Sequence, residues 1–161
     1  MQVRLRPFPA DSASVVSGWA TTDEEVLMWC SHPAAPVPAD QVNAWAQEDG
    51  VQPFGLYRDD RLVGYGELWV DDDEAEVELA RLIIDPAERG HGLGRRMVTE
   101  LANLARSRYP QVFVRVHPDN IAAQRCYAAA GFDSIEPDQA AGWNACQPID
   151  YIWLSAPASG R

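Results

Sequence analysis

The sequence predicts one α/β (α+β) domain built on a mixed central sheet of about seven strands. Three observations carry this expectation. The 161 residues, 47% apolar and 23% charged, suffice for one hydrophobic core and are too apolar for a disordered chain. Phe54–Arg58, Leu62–Val70 and Ala75–Ile84 are strand-like runs joined by acidic turns, the pattern of an antiparallel meander. From Ala75 onward the order is strand, glycine-rich loop, helix, strand, helix, strand, strand. A strand–helix–strand crossover returns parallel and right-handed, so the sheet must mix both senses.

Each element has a local reason. Val3–Phe8 alternates apolar and polar side chains, and Pro7 and Pro9 stop it before Asp11 and Ser12, which can cap a helix. Thr22 with Glu25 three residues later makes a capping box ahead of Val26, Leu27 and Trp29. The stretch Pro33–Pro38 separates this helix from another over Asp40–Gln47. Asp59-Asp60 turns the first hairpin, and Asp71–Asp73 turns the chain into the third strand of the meander. Leu93, Met97, Leu101, Leu104 and Ala105 recur at helical spacing over Leu93–Arg106. Val112–Val116 is a β-branched strand, Asn120–Ala130 a helix, and Phe132–Ile135 and Ile149–Leu154 the closing strands. With no repeat or low-complexity block, residues 1–154 read as a single domain and Ser155–Arg161, small and polar, as a flexible tail.

Charge excludes several functions. Basic residues number 13 against 24 acidic ones, a net of -11, and all 13 are arginine because the chain contains no lysine. That removes a phosphate-loop lysine, a Schiff base to pyridoxal phosphate or a carbonyl substrate, and a Ser-Lys dyad. The acidic balance argues against a nucleic-acid partner, although a local arginine cluster can hold one small anion. Cys30, Cys126 and Cys146 are scattered without CxxC spacing, so neither a disulfide framework nor a metal site is expected, and reduced cytoplasmic thiols fit best. The opening MQVRLRPFP lacks an apolar leader, and no apolar run approaches the ~20 residues of a membrane span.

The chemistry concentrates at Arg89-Gly90-His91-Gly92-Leu93-Gly94-Arg95-Arg96, between a strand and a helix. Unpaired N–H groups and the positive helix end converge there, glycines let the backbone approach an anion, and three arginines add charge, which would suit a pyrophosphate. Taken alone, a tight turn with surface arginines explains the loop equally well. A dinucleotide fold would require a third glycine where Arg95 stands, and in the first βαβ unit. The motif of Gln or Arg, two residues, Gly, one residue, Gly or Ala is met by Arg89, Gly92 and Gly94. Downstream, Asn120, Ala123, Tyr127, Gly131 and Phe132 match a second pattern. In both motifs and their separation the chain resembles the GNAT superfamily of acyl-CoA N-acyltransferases, over roughly Leu62 to Leu154.

That resemblance implies helices on both faces of the sheet and parallel fourth and fifth strands that splay apart. It also implies acetyl-CoA as cosubstrate: pantetheine in the splay against the backbone of Leu82, Ile83 and Ile84, with Asn120 in reach. The pyrophosphate would lie on Arg89, Gly90, His91, Gly92, Leu93, Gly94 and Arg95. A backbone N–H freed by a bulge near Leu82 would hold the oxyanion. Transfer to a primary amine by direct attack in a ternary complex needs a base for the ammonium, whose pKa is about 10, and an acid for the thiolate. Glu78, eleven residues before Arg89, is the candidate base, against the plainer reading of a solvated carboxylate face. Glu74 and Glu76, taken to share its strand face, could bind the ammonium or relay the proton through water. Tyr127 is the candidate acid, against a role as core tyrosine. Trp19, Trp29, Trp45 and Trp143, with Asp23, Glu24, Glu25 and Asp71–Asp73, are expected to wall an acidic cleft for a cationic small-molecule or peptide amine. A non-catalytic acyl-CoA sensor and an N-terminal protein acetyltransferase are the alternatives; homodimers are common in the superfamily.

Overall fold

The computed structural model describes residues 2–158. Its seven strands are β1 (Val3–Pro7), β2 (Val51–Arg58), β3 (Arg61–Asp71), β4 (Glu76–Ile84), β5 (Gln111–Val116), β6 (Asp133–Ser134) and β7 (Ile152–Ser155). They form one sheet in the order β1-β2-β3-β4-β5-β7-β6, antiparallel except for the β4–β5 pair. The helices are α1 (Ala13–Ser17), α2 (Asp23–Cys30), α3 (Ala39–Trp45), α4 (Leu93–Arg106), α5 (Ile121–Ala129) and α6 (Pro137–Asn144). The expected mixed sheet and its parallel pair are therefore present. Among the described residues no helix is long and apolar enough to cross a membrane.

Two cores lie on opposite faces of the sheet. On one face, Met97, Leu101 and Ala105 of α4 pack with Leu68, Leu79, Val112 and Val114. On the other, Val16, Val26, Trp29, Val42 and Trp45 from α1–α3 close over Tyr65 and Ile83. The Thr22 cap forms as expected, its side chain accepting the Glu25 N–H, while the Glu25 carboxylate accepts from the Thr21 N–H and from the Thr21 and Thr22 hydroxyls. Ser12 precedes α1 without a side-chain cap.

Several boundaries differ from the sequence reading. The turn Asp71–Ala75 reaches further than expected, so β4 begins at Glu76 and Glu74 is in the turn, off the strand face assigned to it. Helix α6 occupies a stretch left unassigned; Glu136 caps it, accepting from the N–H groups of Asp138 and Gln139, and Pro137 supplies the first-turn backbone angle. It delays β7 to Ile152 and leaves β6 two residues long. Ser155 belongs to β7 and the Ala156 N–H bonds the Val112 carbonyl at 2.9 Å, so the expected tail starts inside the sheet; its last residues, 159–161, lie outside the described ones.

Candidate active site

The parallel strands part early. β4 pairs with β5 only through Glu76–Leu79 against Gln111–Val114, and among the described residues no β5 partner follows from Ala80 onward. A cleft of about 400 Å3 opens in the gap, walled by Leu82, Ile83 and Ile84 of β4 and by Asn120 and Tyr127 of the α5 segment. The glycine loop closes one end with Arg89, Gly90, Gly92, Leu93 and Gly94. Gly90 and Gly92 hold φ of +83° and +78°, and nothing stands within 4 Å of where a Cβ would be. The loop is thus bare backbone leading into the N-terminus of α4, whose first N–H groups lack helical partners. A Cβ on Gly94 would stand 3.3 Å from the Cys126 sulfur, so this glycine also lets α4 and α5 meet.

The charged members of the loop divide. Arg89 lines the cleft, its Nε donating to the Ile84 carbonyl at 3.0 Å and a terminal nitrogen 3.7 Å from Glu25. Arg96 is committed elsewhere, to Glu100 at 2.7 Å and the Val3 carbonyl at 3.1 Å, so it does not add to the cluster. His91 and Arg95 are exposed and lie outside the cleft wall; the His91 Nδ1 sits 3.2 Å from the Glu88 carbonyl oxygen. Asn120 caps α5 by accepting the Ala123 N–H at 3.1 Å. Tyr127 is 6% exposed and packs against Phe132, and burial pushes its phenol well above the ordinary value of 10.0. Its hydroxyl makes no hydrogen bond among the described residues and is not one of the fully buried unpartnered atoms, so it opens to the cleft.

β4 carries a bulge at the point where the strands separate. Ala80 faces Glu67 and Ile83 faces Tyr65, so Arg81 and Leu82 together oppose the single residue Gly66, with Arg81 at φ +52°. The extra residue reverses the side-chain alternation. Before it, Val77 and Leu79 face α4; after it, Leu82 and Ile84 approach Gly66 and Gly64 on that face, and Ile83 joins the α1–α3 core.

A second cleft of about 730 Å3 opens on the α1–α3 side of β4. Its floor carries Glu76, Glu78 and Arg81, its rim Glu48, Asp49 and Asp71–Asp73, and its walls Trp69, Phe113, Trp143 and Trp153. Of the expected tryptophans only Trp143 lines it. Trp19, Trp29 and Trp45 fill the core, and Trp29 also borders the first cleft. Asp23 accepts the Ala35 N–H and Glu25 borders the first cleft, so the α2 carboxylates do not line this one. Glu78 is not free: Arg115 grips both its oxygens, at 2.6 and 2.9 Å, and itself donates to Gln147 at 3.0 Å and stacks 4.7 Å over Trp153. Among the described residues Glu76 has no such cation; partial burial first, then Asp71, Glu74 and Glu78, push its carboxyl above the usual range.

Sequence reasoning missed Trp69, Phe113, Arg115, Trp153 and Gln147 at this site. Alternation within each strand does not mark the first four: Trp69 and Phe113 flank Glu78, and Trp153 flanks Arg115, only once the neighbouring strands are paired. Gln147 is in the loop after α6 and carried no signal.

Parallel strands parting over a glycine-rich helix start, with a second cleft across the same strand, define an α+β fold with an anion-suited loop between two clefts. The sequence profile of the acetyltransferase (GNAT) family matches residues 19–132, and the chain belongs to that family. It is 38% identical over 60 residues to the N-alpha-acetyltransferase RimI of Mycobacterium tuberculosis, covering 37% of each chain. It is also 36% identical over 78 residues to an uncharacterized protein of Mycobacterium leprae, covering 47% of this chain and 21% of that one. These matches span well under half of either relative's length. Among solved structures, the AAC(6')-Ib complex with ribostamycin and coenzyme A superposes with a TM-score of 0.77 at 18% identity, over 99% of this chain and 96% of that one. The spermidine N-acetyltransferase of Vibrio cholerae with CoA and spermine gives 0.70 at 17% identity, over 84% and 83%. At such identities the superpositions establish the fold.

Proposed function

We propose that the protein is an acetyl-CoA-dependent N-acetyltransferase that moves the acetyl group to a primary amine by direct attack within a ternary complex. The observation that carries this is the pair of clefts on opposite sides of β4: Arg81 borders one and Leu82 the other, so two ligands entering separately meet at the bulge. The first cleft suits acetyl-CoA, whose bound thioester supplies the activated acyl group. Gly90, Gly92 and Gly94 and the start of α4 offer N–H groups for the phosphates, with Arg89, His91, Leu93 and Arg95 around them. The unpaired edge of Leu82–Ile84 offers backbone partners for an amide-bearing arm, with Asn120 on the far wall. Three free cysteines accord with a cytoplasmic setting.

The second cleft suits a cationic amine. Asp71, Asp73 and Glu76 raise the local concentration of an ammonium ion, and the tryptophan walls supply ring faces for it. The amine must lose a proton before it attacks. Glu78 is the closer of the two carboxylates on β4 to the bulge, but both its oxygens already accept from the Arg115 guanidinium. We assign Glu78 the orientation of the ammonium, and Glu76, whose burial and acidic neighbours raise its affinity for a proton, the proton, through water in the cleft. At about 3.3 Å per residue, Glu76 lies too far along the strand for direct contact with an amine at the bulge. Tyr127 holds the proton needed by the departing thiolate, and a backbone N–H at the bulge stabilises the developing oxyanion. The similarity to RimI favours peptide amino termini as a second class of acceptor.

Calorimetric titration with acetyl-CoA, followed by a screen of polyamines, aminoglycosides, amino acids and peptides for free-CoA release, tests the assignment. Tight binding with turnover on at least one amine is expected. Binding without turnover on any acceptor class points to a sensor, and no binding rejects the assignment.

A further inference from the structure

Glu67 is wholly buried in β3, where a bare carboxylate is strongly unfavourable. It accepts from the Tyr65 hydroxyl at 2.5 Å, from Trp69 Nε1 at 2.8 Å and from the Arg81 guanidinium at 3.0 Å. Arg81 is the bulge residue, held in a left-handed conformation that non-glycine residues seldom adopt. Its neighbours fix it on every side. The guanidinium also bonds Glu48 at 3.1 Å and lies over Trp45 at 4.2 Å and Trp69 at 4.9 Å, and the Arg81 carbonyl accepts from Trp29 Nε1 at 2.9 Å.

The reversal of alternation at this point explains why a buried pair is there. If β4 ran without the extra residue, Arg81 would turn to the α4 face, toward Met97 and Leu101, and Glu67 would lose its cation on the opposite face. Both outcomes bury a lone charge, whereas the bulged register satisfies both groups. A buried ion pair is often replaceable as a source of stability, but it discriminates strongly between registers. We infer that Glu67 and Arg81 are positioning residues: their pair locks the β4 bulge in register and so aims the backbone of Leu82–Ile84 into the acyl cleft. This inference rests on the acetyl-transfer reading.

The test uses acetyl-CoA labelled with 13C at the acetyl carbonyl, bound to the wild-type protein and to Glu67→Gln, Arg81→Ala and Arg81→Gly. Glycine accepts φ near +50° without the steric penalty that alanine incurs, so it separates loss of the bulge from loss of the guanidinium. In the wild type a hydrogen bond from the bulge displaces the carbonyl stretch to lower frequency. Glu67→Gln and Arg81→Ala are expected to lose most of that displacement, and turnover to fall about 100-fold, the usual effect of removing an oxyanion donor. Because Leu82–Ile84 also offers backbone partners to the cosubstrate's arm, acetyl-CoA affinity in these two variants should fall about tenfold, about 1.4 kcal/mol, and stay near wild type in Arg81→Gly. Arg81→Gly is expected to keep the displaced band. In the free proteins, cross-strand nuclear Overhauser contacts between Tyr65 and Ile83 should weaken in Glu67→Gln and Arg81→Ala while those between Leu68 and Leu79 persist, which also shows that the variants are folded. An undisplaced wild-type band, displaced bands in Glu67→Gln and Arg81→Ala, equal loss in Arg81→Ala and Arg81→Gly, or unchanged Tyr65–Ile83 contacts each overturns the inference while leaving the transferase assignment standing. Failure of the wild type to bind acetyl-CoA overturns both.

Discussion

Replacing Tyr127 with phenylalanine isolates one oxygen atom. Tyr127 is 6% exposed, lies tilted against Phe132 with ring centroids 5.6 Å apart and borders the cleft assigned to acetyl-CoA. Because its hydroxyl has no partner among the described residues, deletion orphans no donor or acceptor. Stability should therefore change by no more than about 0.5 kcal/mol, below the range for breaking a buried hydrogen bond. Turnover should respond differently. A positioned general acid contributes typically 10²- to 10⁴-fold, and a thiolate with a reference pKa of about 8.5 leaves readily, which puts the expected loss near the lower end, about 10²-fold. That corresponds to about 2.7 kcal/mol in the barrier. Burial raises the phenol above its ordinary 10.0, so Tyr127 stays protonated throughout the working range. The variant should lower the whole pH–rate curve without changing its shape. Steady-state CoA release, calorimetric acetyl-CoA binding and thermal melting on the same preparations provide the assay. Unchanged turnover with intact binding would refute the acid role. A turnover loss matched by lost binding would show that the hydroxyl positions the cosubstrate.

Gly92→Ala places a methyl group in the open loop at φ +78°, so acetyl-CoA affinity should fall at least tenfold while the fold, destabilised by about 1–2 kcal/mol, persists; calorimetry and melting separate the two effects. Arg115→Met leaves Glu78, 18% exposed, without its cation; the cost of about 1–3 kcal/mol should lower the melting temperature by several degrees. Glu76 carries a pH dependence. Its folded carboxyl binds a proton more tightly than the unfolded one, so its contribution to stability is fully present below the ordinary value of 4.5 and is lost as pH rises through the raised folded value. Glu76→Gln should therefore melt higher than wild type at pH 7 and lose that advantage below pH 4.5, while its turnover at neutral pH drops.

The parts of the fold legible in the sequence are those written in local chemistry. The Thr22–Glu25 cap, the Asp59-Asp60 turn, the apolar spacing of Leu93–Arg106 and the glycines of the loop all stand where short-range rules put them. Helix α6 was hidden because its segment has almost no apolar periodicity and depends on Glu136 and Pro137 at its start. The acidic cleft was only half legible. The carboxylates of β4 could be read, but their partners come from β3, β5 and β7, and strand pairing is a long-range fact that one strand's residues do not specify. Thus Glu78 looked free in the sequence and is bound to Arg115, 37 positions away.

The bulge is the deepest of these omissions, because it changes what alternation means. Read with period 2, Glu76, Glu78, Ala80, Leu82 and Ile84 would share one face and Val77, Leu79, Arg81 and Ile83 the other. The inserted residue at Arg81 divides both sets, so acidic residues at one end of β4 face the large cleft while Leu82 and Ile84 at the other end line the narrow one. A regular strand carrying the same residues would have put Arg81 among the α4 core leucines and turned Leu82 toward the acidic side. One irregular residue therefore gives a single strand one half facing the acidic cleft and one half facing the glycine-loop cleft, with the bulge as the junction where the proposed transfer would take place. The absence of lysine leaves this division to arginine alone. Arg89 stands at the anion end of the narrow cleft, while Arg81 and Arg115 are already neutralised by Glu67 and Glu78. The remaining carboxylates of the large cleft keep their attraction for an incoming cation.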